Sequence, residues 1–446
     1  MSGAGASADE ARERDGAGGA RGGGSGAKGR PGSGFVLREA QVLDAGGGFA
    51  RADVAVVDGR IAAVGPDLAA PGLPSHDFAG LWLLPGIVDC HAHLGLSTTD
   101  VAEQLATPAS LWALETADNA RRTLEAGVTT LRDAGGADRG IRDAIERGLA
   151  RGPRLQLSIV MLSQTGGHGD GFLPGLGLPL AADALPADPA RPPAVVDGPD
   201  EMRRVVRQLL RGGADWIKLC ATGGVLSPHD DPRGAELSDE EVAVAVAEAA
   251  RKGRGVMAHA NGGEGIDVAV RNGVRSIEHG VFLTEEQARA MADAGCWLVP
   301  TLTVIEDVLR LAAAGELPAH AAAKAEQLRP RFGEAVAIAR AHGVPIALGS
   351  DLLLRAQHGR NLEEIHHLRR AGMTPEEALL TATVRGAELC GVADDRGTLA
   401  PGKRFDAIVL DRDPGDLSLF AQPGAVTGVF RGGEPVVAHE RVAAPA

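Results

Sequence analysis

The hydrophobic rhythm of this chain changes twice. Short apolar runs at Phe35–Leu37, Asp53–Val57 and Ile61–Val64 are separated by turn dipeptides such as Asp58-Gly59 and Gly65-Pro66. That pattern predicts β-strands joined by tight turns. It returns at Ala407–Leu410, Val426–Phe430 and Pro435–Val437, punctuated by Pro401-Gly402 and Gly432-Gly433. Two β-rich ends around a different middle predict one small β-sandwich domain built from residues 34–84 and 398–446.

The middle, residues 85–397, alternates apolar strands with amphipathic helices. Eight strand candidates stand out: Ile87–His93, Thr129–Asp133, Leu155–Leu162, Trp216–Ala221, Val256–Ala260, Ser276–Gly280, Trp297–Leu302 and Pro345–Asp351. Helical patterns lie between most of them, such as Ser110–Ala126, Asp239–Lys252 and Glu285–Ala294, the last with Thr284 as N-cap. Continuous apolar strands alternating with helices predict an α/β chain folded as a (β/α)8 TIM barrel. One connection, Ser163–Val196, is long and rich in Gly and Pro, the kind of loop that covers a site.

Composition narrows the function classes. Lys+Arg 45 against Asp+Glu 59 leaves a net charge of −14, which argues against a nucleic-acid binder or a partner of anionic membranes. No apolar run approaches the roughly 20 residues of a membrane span. Residues 1–33, mostly Gly, Ala, Ser and Arg, bury too little to order themselves and read as a disordered tail without a secretory signal. A cytoplasmic location is the default expectation. Cys90, Cys220, Cys296 and Cys390 have no short spacing, so neither a disulfide framework nor a zinc ribbon is indicated. Tyr is absent, so no Tyr can serve as an acid.

The candidate chemistry sits at strand ends. His91 and His93 are two apart on a strand and point to the same face, a natural pair of metal ligands. An isolated His-x-His is often incidental. Here, however, His259 and His279 end the fifth and sixth strand candidates and Asp351 ends the eighth. Those are the positions where barrel enzymes place working groups. Lys218 lies within Trp216-Ile217-Lys218-Leu219-Cys220. Burial there favours a neutral amine, able to form a carbamate with carbon dioxide. An ordinary ion-paired Lys is the alternative.

In that context the run Leu84-Pro85-Gly86-Ile87-Val88-Asp89-Cys90-His91-Ala92-His93, followed in order by Lys218, His259, His279 and Asp351, resembles the amidohydrolase superfamily of metal-dependent hydrolases. The likeness runs from about Phe35 to Gly433. Within the superfamily the chain is similar to the imidazolonepropionase-like group that includes Xaa-Pro dipeptidases. That similarity rests on Thr165-Gly166-Gly167-His168-Gly169-Asp170, Ala221-Thr222-Gly223-Gly224-Val225, Ser276-Ile277-Glu278-His279-Gly280 and His358-Gly359-Arg360-Asn361. The resemblance implies two divalent metal ions, with zinc suiting the donors. His91, His93 and Asp351 would hold one and His259 and His279 the other, with carboxylated Lys218 bridging both. It also implies attack by metal-activated hydroxide on a carbonyl, with Asp351 as proton carrier and His279 and His168 as catalytic partners. His168, Arg360 and Asn361 would contact substrate.

Two positions depart from the subgroup. Asn261 replaces an aromatic or His, and Leu352-Leu353-Leu354 replaces small residues, which would make one side of the pocket apolar. His229-Asp230-Asp231 reads as a solvated loop and Cys220 as a packed thiol. The expectation is a metal-dependent hydrolase of amide or peptide-like C–N bonds, acting on a small molecule or short peptide, with a homo-oligomer among the expected assemblies. Alternatives are a cyclic-amide, lactone or aryl-amide hydrolase and a non-catalytic metal-binding scaffold.

Overall fold

The computed structural model describes residues 34–98, 100–172, 175 and 190–441. The tail 1–33, residues 442–446 and much of the Gly- and Pro-rich loop lie outside the described residues. In chain order the strands are β1 (Gly34–Leu43), β2 (Phe49–Val57), β3 (Arg60–Gly65), β4 (Ser75–Asp77), β5 (Trp82–Pro85), β6 (Ile87–Ala92), β7 (Val128–Asp133), β8 (Arg154–Leu157), β9 (Met161–Leu162), β10 (Trp216–Cys220), β11 (Gly255–Ala260), β12 (Ser276–His279), β13 (Trp297–Val299), β14 (Ala407–Leu410), β15 (Val426–Arg431) and β16 (Glu434–Val437).

Both chain ends share one eight-stranded sheet, ordered β16-β15-β14-β5-β1-β2-β3 with β4 also on β1. The join between the ends is the antiparallel pair β5 and β14. Alternating apolar residues of these strands, among them Leu37, Val54, Leu83, Val409 and Phe430, bury a common cluster. A bulge between Leu37 and Ala40 bends β1, with Glu39 at φ 62°. Asp53 pins it by accepting the amides of Glu39 (2.9 Å) and Leu68 (3.0 Å) and pairing with Arg38 (2.6 Å).

The central strands run parallel and are buried on both faces, as strands covered by helices must be. Helix boundaries follow their caps. Asp239–Ala250 starts at a reciprocal Ser238–Glu241 box, and Glu285–Ala294 starts at Thr284, which forms a second box with Gln287. The remaining expected helix runs Ala109–Glu125.

Two expected strands differ from observation. Leu155–Leu162 is split into β8 and β9, because Ile159 between them takes φ 72°, a strained setting for a β-branched residue. The halves join separate sheets, β6-β7-β8 and β13-β12-β11-β10-β9. Pro345–Asp351 is not a regular strand. It spans from β13 to β6 by single contacts: Leu298 N donates to Pro345 O (2.9 Å), Ala347 N to Leu298 O (3.1 Å), and Cys90 N to Leu348 O (2.9 Å). The ladder fails near its end because the Ser350 amide turns to the Asp89 carboxylate (3.1 Å) and Asp351 takes φ 52°. No helix among the described residues is long and apolar enough to cross a membrane.

Candidate active site

The carboxyl ends of β6, β10, β11 and β12, with the end of the 345–351 segment, converge on one cluster, the usual place for ligand binding in open parallel sheets. His91, His93, Lys218, His259, His279 and Asp351 are all buried there. Three positive-φ residues without the freedom of glycine mark the same place: His279 (73°), Thr301 (50°) and Asp351 (52°). Strain of this kind persists only where the surroundings enforce it.

The contacts have a consistent sense. His91 Nδ1 donates to Glu278 Oε2 (2.7 Å) and His93 Nδ1 to the carbonyl of Gly135 (2.9 Å). Each ring therefore turns its Nε2 inward. Those nitrogens face Asp351 Oδ1 at 3.3 Å and 3.1 Å. Two imidazole nitrogens meet a carboxylate in this way through a cation, which is a proton on His93 or a metal ion. His279 adds Nδ1 on Thr301 Oγ1 (2.7 Å), and donor atoms of His91, His279 and Asp351 lie within 4.8 Å of one another.

Electrostatics match that geometry. Burial pushes His279 down to about 3 and His91 and His259 well below the usual imidazole range, so all three offer neutral nitrogen. Burial works against an ionised Asp351, but the His93 contact and neighbouring positive groups hold its carboxyl below the ordinary value. Burial also lowers Lys218, whose Nζ is 3.4 Å from His91 Nε2. Burial works against a charged His93, but the Asp351 contact raises it, holding a proton that a bound divalent ion would displace; imidazoles and one carboxylate are donors that zinc favours.

His259 stands slightly apart. Its Nε2 lies 3.0 Å from Gly223 O and 3.1 Å from Asn261 Nδ2, and its ring meets His279 edge-on at 4.5 Å. His168 stacks on it at 4.3 Å and lines the cavity. The His168 Nδ1 is 2.9 Å from Ser227 Oγ and 3.4 Å from Asp230 Oδ2. Burial alone would raise the Asp230 carboxyl, yet His168, Lys324 and Ser227 hold it well below the carboxylate range. Asp230 thus belongs to a clamp on His168 and not to a solvated loop.

The cavity above the cluster encloses about 380 Å³. Val281, Val304, Ile305, Val308, Leu328 and Leu353 form its apolar wall, with Glu103 and Glu115 among its polar residues. Of the three leucines after Asp351, only Leu353 lines it. Cys220 is packed and buried away from it.

Arg360 and Asn361 correct the sequence expectation, since neither lines this cavity. Arg360 is held by Asp307 (3.0 Å) and Glu363 (2.6 Å). Asn361 is fully buried and donates to Asp89 Oδ2 (2.8 Å), bracing the turn at Ser350 beneath Asp351. Their nearness in sequence to Asp351 misled because the chain turns away from the cavity after Leu353. Arg360→Ala should leave kcat/KM within about twofold of wild type. It should cost about 1–3 kcal/mol in denaturant unfolding, because buried Asp307 loses its main partner.

Sequence reasoning missed the supports below the cluster. Glu278 and Arg132 are both fully buried and paired at 3.0 Å, while Arg132 Nε also donates to Cys90 O (2.6 Å) and its guanidinium lies over Trp216. The signal was available: Arg132 and Glu278 are charges inside apolar strands, as Lys218 is. Thr301 and Glu364 carried no comparable signal.

Known proteins resemble this chain over most of its length. The amidohydrolase family model matches residues 82–436. Ochratoxinase of Aspergillus niger is 37% identical over 365 residues, covering 79% of this chain and 75% of that protein. Imidazolonepropionase of Nocardia farcinica is 28% identical, over 86% of this chain and 92% of that protein. A prolidase solved with N-methylphosphonate-L-proline superposes with a TM-score of 0.81 at 32% identity, covering 90% of this chain and 99% of that one. The chain belongs to the amidohydrolase family and is a metal-dependent hydrolase of carbon–nitrogen bonds.

Proposed function

We propose that this protein cleaves an amide or peptide-like C–N bond at the cluster of His91, His93, Lys218, His259, His279 and Asp351. The observation that carries the reading is the pair of inward Nε2 atoms, from His91 and His93, set against the Asp351 carboxylate. His91, His93 and Asp351 would hold one divalent ion and His259 and His279 a second, with a carboxylated Lys218 between them. Two zinc ions held there would acidify water and polarise the scissile carbonyl. Asp351 takes the proton from the attacking water and delivers it to the leaving nitrogen. His168, held at Nδ1 by Ser227 and Asp230, turns its other edge to the substrate. The proposal includes a closed (β/α)8 barrel over residues 85–397 and a two-layer sandwich from 34–84 and 398–446.

A dipeptide of the Xaa-Pro kind is the leading substrate, supported by similarity to the prolidase. An aryl amide is the second reading, favoured by the apolar wall from Val304 to Val308 and by similarity to ochratoxinase.

Metal content per chain tests the site. Protein purified without chelator should carry about two divalent ions, and Lys218→Ala should carry fewer. No ion after reconstitution with zinc and bicarbonate would overturn the proposal. Mass spectrometry of products then separates the substrates, because a dipeptide or aryl amide releases two fragments and a cyclic amide only gains water.

A further inference from the structure

The helix Leu302–Ala314 begins in an unusual way. Its N-cap is Thr301, a residue type that ordinarily turns its hydroxyl back onto the second or third amide of its own helix. Here Thr301 makes no such bond. It sits in the left-handed region at φ 50° and ψ 48°, fully buried, with its Oγ1 2.7 Å from His279 Nδ1. The first helical amides would then lack partners inside the protein, at a cost of about 1–3 kcal/mol each.

Glu364 takes over the vacated duty. It lies on a separate helix, Glu363–Arg370, and is fully buried. Its Oε1 accepts from Leu302 N (2.8 Å), and its Oε2 accepts from Thr303 N (2.7 Å) and Thr303 Oγ1 (2.6 Å). With Thr301 turned to His279, Glu364 supplies the cap that the helix Leu302–Ala314 would otherwise lack. The same helix carries Val304, Ile305 and Val308 into the cavity wall.

We infer that Glu364 and Thr301 are positioning residues for the reaction: Glu364 caps the helix in place of Thr301, which frees the Thr301 hydroxyl to fix the direction of His279. The inference rests on the reading of His279 as a metal ligand. The Thr301 hydroxyl holds the His279 ring at Nδ1, on the edge that lies 3.8 Å from Asp351 Oδ2, as ligands are held by supporting partners.

The test is a double-mutant cycle read by kcat, KM and the rate of zinc release to a chelator. Thr301→Val keeps the shape and removes the hydroxyl. It should lower kcat by about 10–100-fold, speed zinc release and leave KM unchanged. Thr301→Ser, which keeps the hydroxyl, should stay near wild type. Glu364→Gln should reproduce the kcat loss and also raise KM, because the wall moves with the helix. In the double variant kcat should fall no further than in Thr301→Val alone. If Glu364→Gln does not fold, Thr303→Val removes only the hydroxyl that Glu364 accepts and carries the same cycle at smaller size. Additive losses, or a Thr301→Val protein with wild-type kcat and zinc release, would overturn the inference. A wild-type protein that binds no zinc would overturn it together with the reading beneath it, and that result appears before any variant is made.

Discussion

Asp351→Asn is expected to reduce kcat by on the order of 10²–10⁴-fold, the range for loss of a general acid–base group. The amide matches the carboxylate in size but can neither take the proton of water nor return it to a leaving nitrogen. The same substitution should also weaken the metal-free fold. In chelated protein the ionised Asp351 faces His93 at 3.1 Å; burial works against a charged His93, but the Asp351 contact raises it above the usual imidazole range, so the two form a buried ion pair. An amide cannot complete that pair, so chelated Asp351→Asn should unfold at a lower temperature than chelated wild type. Wild-type activity with the same loss of stability would instead mean that Asp351 serves only to hold the chain together.

Arg132→Met should destabilise the protein by about 3–5 kcal/mol in denaturant unfolding, the usual cost of orphaning one member of a buried ion pair. Glu278 would keep Ser276 and His91 as partners but lose its only full positive charge. The effect should reach the active site, because Glu278 orients His91 through Nδ1. A fall in metal affinity of about 10–100-fold is expected alongside the loss of stability. Competition with a chromophoric chelator measures the first, and urea titration the second. Glu278→Gln with Arg132→Met should recover part of the stability, since the buried charge is then gone, without recovering the metal affinity.

The strands that position the cluster were legible because buried parallel strands read as unbroken apolar runs, and a polar residue at the end of such a run is conspicuous. His91, His93, Lys218, His259, His279 and Asp351 were all visible in this way, and the structure gathers them into one buried cluster. Failures came where backbone conformation overrides periodicity. Ile159 belongs to an apolar run yet breaks it by a positive φ, and Asp89 draws the Ser350 amide out of the eighth run. Arg360 and Asn361 were misplaced because sequence proximity to a site residue does not fix direction after a turn. Thr301 and Glu364 were invisible because their role depends on a contact between helices some sixty positions apart in the chain.

The mixed sheet sets a constraint on how the protein is made. β5 pairs with β1 on one side, and its other side waits for β14, which follows about 320 residues later in the chain. At about 5–20 residues per second the ribosome leaves that strand's amides and carbonyls open for tens of seconds. An unpaired edge of this kind recruits other chains. The nascent protein therefore depends on chaperone cover or on early burial of the neighbouring parallel strands. Any product that terminates before Ala407 keeps that adhesive edge permanently, and is destined for aggregation or proteolysis rather than for partial activity.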